Sequence, residues 1–425
     1  MKLNYGKVLL VGFAFLLIQA FWQAYDAIVP LILVNKYEMN QTISGLIMAF
    51  DNMLAIIMLP LFGAISDNIN SRYGRRTPFI FIGTILAVFF FIFMSVVEAL
   101  WIFIIILLFT LISMATFRSP AVALMPDVTA KPHRSKGNAV INLMGTAGAM
   151  MVLGLGIVYK TGQEGKTDFT SYVIAVSSVM LVSLIIFMFT VKETKWAEQM
   201  QENTKKYFGD KEVEERDEAG GRLTSAQFGS LILILASVAL WFIGYNAVIS
   251  KYSLYASNVL KQDYNLTLLI AQAAAIITYF PVGIIASKVG RKKSILTGVL
   301  LLAIAFGSAA FITKNSPVYV MYFLFSLAGI AWATINVNSF PMVVELAKGS
   351  DVGKYTGFYY TASMAAQIVT PVFSGFIMDQ MGSMKPLFPY ATIFVVGSFI
   401  TMLFVKHGDS KPEKKTLLEN LDVND

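Results

Sequence analysis

The sequence of 425 residues contains no cysteine and only two histidines. Disulfides and thiolate metal sites are therefore excluded, and a zinc or haem enzyme lacks most of its usual ligands. Charged residues make up only 14% of the chain, against about 25% in an ordinary soluble domain. This is too little charge to cover a water-soluble protein of this size, and a disordered chain needs the opposite composition.

Apolar residues are abundant instead: 56% of the chain is hydrophobic, about 240 residues in all. At roughly 20 residues per span, they suffice for about 12 transmembrane helices. The predicted fold class is therefore all-α, a polytopic membrane protein with 12 transmembrane helices. The apolar stretches lie at roughly 8–34, 43–65, 79–97, 100–125, 138–159, 170–191, 227–249, 266–286, 295–312, 317–344, 355–378 and 387–405.

The net charge of +7 comes from short basic clusters between apolar runs, and not from one basic domain or stripe. Nucleic acid is therefore rejected as a partner, and a lipid bilayer is expected. Most of the 33 Lys and Arg residues fall in alternate loops, which predicts that both termini are cytoplasmic. We expect a multi-pass protein of the cell (plasma) membrane whose first apolar stretch is a retained span. Lys251 is assigned to an outer loop.

One long polar stretch precedes the tail and divides the apolar stretches six and six. It mixes both signs of charge and is interpreted as a solvated helix or tether. The predicted domains are an N-terminal six-helix bundle (1–191), a cytoplasmic linker (192–225), a C-terminal six-helix bundle (226–406) and a cytoplasmic tail (407–425).

Two loops repeat one pattern at equivalent places in the two halves. Each has a Gly, an acid or small polar residue four positions later, and then a Gly beside basic residues. Two copies in register indicate the internal symmetry of a transporter. Together with Asp127 at the end of the fourth stretch, they are predicted to form a cytoplasmic gating motif: Gly63, Asp67, Arg72, Gly74, Arg75 and Arg76 in the first copy, and Gly283, Gly290, Arg291 and Lys292 in the second.

The paired loops resemble the signature of the major facilitator superfamily. The stretch from Asp67 to Ile80 looks like plant sucrose transporters and solute carrier family 45 sugar/proton symporters. More distantly, it is similar to the glycoside–pentoside–hexuronide cation symporters. The stretch from Arg118 to Asp127 resembles the end of span four in the same group. This resemblance implies two pseudo-symmetric six-helix bundles and alternating access by a sugar symporter.

The chain departs from these relatives in three places. Residues 68–71 are inserted in the first loop, and Ser287 stands in the second loop where the superfamily usually has an acid. Plant sucrose transporters carry an Asp early in span four, whereas residues 100–125 contain no carboxylate. If protons are coupled, the site therefore lies elsewhere.

Three ionisable residues fall well inside predicted spans, where charge is expensive. Asp26 and Asp51 are predicted to couple transport to a proton or sodium ion, and no other cofactor is expected. The structural alternative for Asp26 is a hydrogen bond to a neighbouring helix. For Asp51 it is a pair with an outer-loop Lys or with polar groups of span eleven. Arg118 is predicted to bind substrate hydroxyls or to keep a nearby carboxylate ionised. The structural alternative is that it only links two helices.

A sugar site needs aromatic faces beside amide or charged groups. Several spans carry such side chains at helical spacing, although Trp and Tyr are also common at membrane interfaces. The predicted substrate-binding residues are Gln19, Trp22, Gln23, Arg118, Asn142, Trp241, Tyr245, Asn246, Gln272, Trp332, Asn336 and Gln367.

These observations favour a secondary active transporter that carries a sugar, a disaccharide or glycoside, with a proton. It is expected to act as a monomer, with no catalytic residue and no metal site. Two alternatives stay open. One is a proton-linked antiporter that exports amphipathic drugs, which would suit the 21 methionines. The other is a non-transporting membrane sensor or scaffold.

Overall fold

The computed structural model describes residues 4–69, 71–129, 134–208, 223–346 and 352–408. These ranges hold α-helices and contain no strand, which confirms the all-α prediction. The helices are α1 (Tyr5–Leu31), α2 (Gln41–Asn68), α3 (Thr77–Val96), α4 (Leu100–Val128), α5 (Arg134–Val158), α6 (Thr170–Thr190), α7 (Glu193–Phe208), α8 (Ser225–Tyr255), α9 (Tyr264–Val289), α10 (Arg291–Ala309), α11 (Val318–Val344), α12 (Val352–Gln380) and α13 (Leu387–Leu403).

Within the described ranges, ten helices are long and apolar enough to cross a membrane. Two shorter apolar helices, Tyr264–Tyr279 and Leu387–Leu403, accompany them. Together they correspond to the twelve apolar stretches of the sequence, and α7 lies in the predicted linker. Large apolar side chains stay exposed on these helices, such as Phe89 at 58% and Phe323 at 67%. Such surfaces suit a lipid environment.

Two helices continue beyond their α-helical part as wide π turns. Ile32–Lys36 follows α1, and Ala256–Leu260 follows α8. Proline lies inside α1 at Pro30 and inside α2 at Pro60. Membrane helices tolerate such breaks because neighbouring groups satisfy the freed backbone atoms, and single π turns are frequent at functional sites.

The chain divides into two compact units. The first comprises Met1–Val29, Phe50–Thr161 and Lys166–Glu212, and the second comprises Pro30–Ala49, Gly162–Gly165 and Val213–Asp425. Helices α1 and α2 therefore each contribute residues to both units. The predicted division into domains at 191, 225 and 406 stays a prediction. Residues 209–222 of the predicted linker and 409–425 of the predicted tail lie outside the described residues.

Each unit has its own aromatic core. In the first unit, Phe21 and Phe91 are fully buried and their ring centroids lie 5.0 Å apart. In the second unit, the rings of Tyr252 and Phe325 lie 4.2 Å apart.

The assignment of Lys251 to an outer loop is wrong. Lys251 lies inside α8 and is only 4% exposed. The apolar stretch of span seven ends before this position in the sequence. The helix nevertheless continues through this position, and the hydrogen-bond acceptors of the buried lysine are described below.

Candidate functional site

A cavity in the first unit brings together three helices. Trp22 of α1 lines it with residues from one face each of α2 and α4. Residues 51, 54, 55 and 59 share a face of α2, and residues 111, 115 and 118 share a face of α4, because neighbours on a helix recur every three or four positions. The lining residues are Trp22, Asp51, Leu54, Ala55, Leu59, Leu111, Ala115 and Arg118. The cavity is thus apolar except for an indole, a carboxylate and a guanidinium.

Asp51 is the first residue of α2 that lines the cavity, and the next residue holds its carboxylate by hydrogen bonds. Its Oδ1 atom accepts a hydrogen bond from the backbone N–H of Asn52 at 2.6 Å and another from Asn52 Nδ2 at 2.8 Å. Asp26 lies close enough to Asp51 and Arg118 for its charge to interact with both. The structure therefore groups the three intramembrane charges that the sequence singled out.

Arg118 stacks on an aromatic side chain of the same cavity. Its Cζ atom lies 5.4 Å from the centroid of the Trp22 ring, a distance at which a guanidinium is attracted to the ring face. The indole Nε1 atom of Trp22 is buried and has no hydrogen-bond partner among the described residues. Two predicted substrate residues are thus neighbours, and both carry N–H donors.

Other predicted substrate residues of the first unit do not line the cavity. Gln19 packs on α5: a Cβ atom added at Gly145 would lie 2.9 Å from Gln19 Cγ. Asn142 is half-buried on α5, where its backbone carbonyl accepts a hydrogen bond from Thr146. Gln23 is half-buried on α1.

Sequence reasoning missed Tyr25. Its side chain is fully buried, and its hydroxyl has no hydrogen-bond partner among the described residues. It lies near both Asp26 and Asp51, and its ring packs edge-on against Trp22 with centroids 5.4 Å apart. Its position directly before Asp26 was a signal that could have drawn attention to it.

The second unit contains an aromatic group built from α8 and α11. The rings of Tyr245 and Trp332 stack with centroids 3.6 Å apart and planes 15° apart. Trp241 meets Trp332 at 5.2 Å. The Nε1 atom of Trp241 and the Nδ2 atom of Asn246 are buried without a partner in the described part of the chain. Three predicted substrate residues, Trp241, Tyr245 and Trp332, are therefore in contact.

The remaining predicted residues of the second unit lie on three helices. Asn336 is buried, 8% exposed, one turn after Trp332 on α11. Gln272 on α9 and Gln367 on α12 are half-buried.

The predicted gating motif of the first unit forms a compact ionic cluster around Arg76. Arg76 donates from Nε to Asp127 Oδ2 at 2.9 Å, and its terminal nitrogens bond Asp67 and the Ser66 hydroxyl. The Gly63 carbonyl lies 3.4 Å from Arg76 Nη1. Burial opposes the charge of Arg76, but the hydrogen bonds and charges of Asp127 and Asp67 hold its pKa above the usual value.

Glu193, which the sequence did not single out, also bonds the loop that carries Arg76. We call the Arg76 cluster together with Glu193 the first corner. The Glu193 carboxylate is 4% exposed and accepts the backbone N–H groups of Arg75, Arg76 and Thr77, at 2.6 to 3.1 Å. It also accepts the Thr77 hydroxyl at 2.8 Å. These donors belong to the start of α3, where a helix leaves its N–H groups unsatisfied. A residue of the linker helix α7 therefore caps α3.

Two other arginines of the first copy contribute less. Arg75 approaches Asp127 only to 3.8 Å. Arg72 is exposed and packs on the ring of Tyr73, 4.6 Å from its centroid. Gly74 adopts φ +113°, and a Cβ atom there would lie 2.2 Å from Glu193 Cδ.

The second copy builds a smaller corner. Arg291 bonds Glu345 at the end of α11. Gly290, at φ +101°, separates α9 from α10. Lys292 donates to the backbone carbonyls of Leu403 at 2.8 Å and Val405 at 2.6 Å. Gly283 lies within α9, two turns before Gly290.

Comparison with known proteins decides the family. Residues 10–377 match a family described as MFS/sugar transport protein. The chain belongs to this family. A stretch of 126 residues is also 27% identical to an uncharacterized MFS-type transporter of Methanocaldococcus jannaschii, covering 29% of this chain and 30% of that protein.

Solved structures share the fold of this MFS family member. The inward-open xylose transporter XylE from E. coli is 14% identical, with a TM-score of 0.69, over 98% of this chain and 99% of that chain. The nucleoside transporter NupG is 14% identical, with a TM-score of 0.66, over 95% and 100%. A bacterial homologue of the human drug peptide transporters PepT1 and PepT2 is 11% identical, with a TM-score of 0.68, over 95% and 98%.

The family membership confirms the predicted superfamily and the major facilitator fold. The protein is a multi-pass membrane protein and a secondary transporter, not an enzyme. It therefore takes a small-molecule substrate and lies in a lipid bilayer.

Proposed function

We propose that this protein is a symporter that carries a sugar together with a proton, and that Asp51 and Asp26 hold the coupling charge. The observation that carries the proposal is the cavity of the first unit. Asp51, Arg118 and Trp22 line it, and Asp26 lies beside them.

The charges of this group favour uptake of one cation. With both carboxylates ionised, one guanidinium leaves one negative charge unbalanced. An unbalanced charge in apolar surroundings is costly, and binding of one proton or one sodium ion removes it. Coupling then requires that the cation and the substrate stabilise each other's binding.

Each unit, taken by itself, holds groups that suit a molecule with many hydroxyls and an apolar face. In the first unit, Arg118 offers several N–H donors and Trp22 an unpartnered indole N–H. In the second unit, Tyr245 stacks on Trp332, and the buried Nδ2 atom of Asn246, the next residue along α8, has no partner among the described residues. Sugars bind on aromatic faces and to such donors.

The corners around Arg76 and Arg291 are proposed to gate the cytoplasmic side. We place both termini in the cytoplasm, because the basic loops alternate with the apolar spans, and we propose the plasma membrane as the location. A monomer suffices for this mechanism.

The test is transport by purified protein in liposomes. Uptake of labelled sucrose, maltose and xylose is measured under an inward proton gradient, and separately under an inward sodium gradient at equal pH. We expect one of these sugars to accumulate under the proton gradient. Asp51→Asn and Asp26→Asn are expected to reduce accumulation at least about tenfold, while exchange of labelled for unlabelled sugar continues, because exchange needs no net movement of the cation.

Asp168→Asn is the matched control, since Asp168 is an exposed carboxylate of the first unit. Wild-type accumulation in both coupling variants would refute the roles of Asp51 and Asp26. Failure of every sugar under both gradients would refute sugar symport. In that case, resistance of expressing cells to amphipathic drugs would favour the antiporter.

A further inference from the structure

The second unit contains a polar joint between segments far apart in sequence. We call it the outer joint, because it lies where the sequence predicts the side opposite the termini. Its members are Asn35, Gln41, Thr42, Lys251, Asn258 and Asp379.

The centre of the outer joint is a carboxylate at the start of a helix. Asp379, near the end of α12, accepts the backbone N–H of Gln41 at 2.8 Å through Oδ1. Its Oδ2 atom accepts the backbone N–H of Thr42 at 2.7 Å and the Thr42 hydroxyl at 2.5 Å. A carboxylate is favourable here because the first N–H groups of α2 lack partners within the helix and carry partial positive charge. Asp379 thus caps α2 from another helix.

A buried cation holds the same turn from the other side. Lys251 of α8 donates from Nζ to the backbone carbonyl and to the side-chain Oε1 of Gln41, both at 3.3 Å. Its charge also attracts Asp379. Lys251 is 4% exposed, and a lysine is rarely buried without such partners.

The helices of the outer joint meet backbone to backbone. A Cβ atom at Gly375 would lie 2.2 Å from the carbonyl oxygen of Gln41, and one at Gly45 would lie 2.0 Å from that of Pro371. Only glycine allows this approach, which brings Asp379 within reach of α2.

An amide pair links the two π turns. Asn258 Nδ2 donates to Asn35 Oδ1 at 2.8 Å, and the two residues lie in Ala256–Leu260 and Ile32–Lys36 respectively. The turns that follow α1 and α8 are therefore joined directly.

The outer joint matters for transport because two of the helices that carry its residues, α1 and α2, extend beyond the second unit. Residues Pro30–Ala49 belong to the second unit, but the helices that carry them, α1 and α2, continue into the first unit. Alternating access requires that the outer side opens and closes. Either these helices bend near residues 29 and 49 when it opens, or the outer joint comes apart. The polar contacts of the joint can be broken and remade, and water can satisfy the released groups.

We infer that Asp379 is a gating residue for the transport cycle: its bonds to the start of α2, supported by Lys251, close the outer side and break when that side opens. This inference rests on transport by alternating access and not on the identity of the sugar. The coupling carboxylate Asp51 lies on the same helix, about 15 Å from the capped turn at 1.5 Å per residue. Release of Asp379 therefore frees the outer end of the helix that carries the proposed cation site.

The chain has no native cysteine, so a single introduced cysteine is a unique label. Ser44→Cys places a thiol in the first turn of α2, where the native side chain is 2% exposed. Its reaction rate with a membrane-impermeant maleimide is measured on whole cells, without substrate or imposed gradient. Adding Asp379→Asn weakens the charge-assisted hydrogen bonds that hold the outer side closed. This loss should shift the equilibrium toward the open state by a factor of about ten, so we expect the labelling rate to rise about tenfold.

Three controls separate gating from loss of structure. Asp168→Asn removes the charge of an exposed carboxylate of the first unit and should leave the Ser44→Cys rate unchanged. Ser95→Cys reports on a buried serine of the first unit, 8% exposed, and its rate should not respond to Asp379→Asn. Asp379→Glu keeps the charge and should restore part of the wild-type rate.

Thr42→Val gives an independent test if Asp379→Asn does not yield folded protein. It removes only the hydroxyl bond to Asp379 and should raise the Ser44→Cys rate about twofold to threefold. An unchanged labelling rate in folded Asp379→Asn protein would overturn the inference. If that variant does not fold, an unchanged rate in Thr42→Val would overturn it. An equal rise at Ser95→Cys would overturn it too, because it would indicate general loosening. A failure of sugar uptake would leave this result intact, since the labelling needs no sugar.

Discussion

The two corners, around Arg76 and around Arg291, occupy equivalent places in the sequence. Among the described residues, the arginine of the first is more deeply buried and bonds more side chains than the arginine of the second. Arg76 has a side chain only 6% exposed and bonds Asp67, Asp127 and Ser66. The Arg291 side chain is 14% exposed and bonds Glu345. The same signature therefore supports a buried ionic cluster in one unit and a more accessible ion pair in the other. Repetition of a motif in sequence does not imply equal strength of the contacts that it forms.

The largest effect is expected from removing the central arginines. Arg76→Met leaves Asp67 and Asp127 without their main cation, and we expect a loss of roughly 3 kcal/mol in stability. Arg291→Met breaks one partly exposed pair and should cost about 1.5 kcal/mol. Thermal unfolding of the detergent-purified proteins measures the difference, with Arg72→Met as the exposed control. Equal losses at Arg76 and Arg291 would contradict the comparison.

A smaller effect is expected at the glycines of the corners. Gly74 and Gly290 both have positive φ, so alanine at either position is strained by about 1 kcal/mol. Gly74→Ala also collides with Glu193, and we expect a total cost of about 2 kcal/mol. Thermal unfolding of both alanine variants tests this ranking.

A double variant tests whether Glu193 causes the larger loss of stability expected for Gly74→Ala. In Gly74→Ala combined with Glu193→Ala, the collision is gone, so the double variant should lose less than the sum of the two single losses. Simple additivity would show that Glu193 does not cause the difference between the two glycines.

The smallest effect is expected from the linker carboxylate alone. Glu193→Gln replaces one of two acceptor oxygens at the start of α3 by an amide donor, and we expect a loss of about 1 kcal/mol. Glu198→Gln, on the exposed face of α7, should lose almost nothing. Thermal unfolding and the rate of proteolysis of the linker both measure this difference between the two variants. Equal behaviour of the two variants would show that the cap adds nothing to the first corner.

Most of the fold could be predicted from the sequence because span length and apolar composition are local properties. The all-α class, the apolar stretches and the superfamily required no long-range information. The corner motif was found for the same reason, since Asp67, Gly74 and Arg76 lie within ten residues of one another.

Long-range partners could not be predicted in this way. Glu193 contacts Arg76 across a separation of 117 residues, and the charged stretch around it resembles a solvated linker. Lys251 seemed to lie in a loop because a charge near the end of an apolar stretch usually marks the interface. Its burial depends on the carbonyl of Gln41, which only the folded chain brings near. Tyr25 was missed because it stands in a stretch rich in aromatic residues, where only its position directly before Asp26 sets it apart.

The cap on α3 also constrains the order of events during synthesis. The start of α3 and its arginine leave the ribosome long before Glu193, which is 117 residues further along the chain. Until the sixth span has been made and the linker helix follows, the first backbone N–H groups of α3 have only water or transient partners. The first unit therefore cannot complete this corner while its helices enter the membrane one by one. Its final assembly waits for the first residues of the linker.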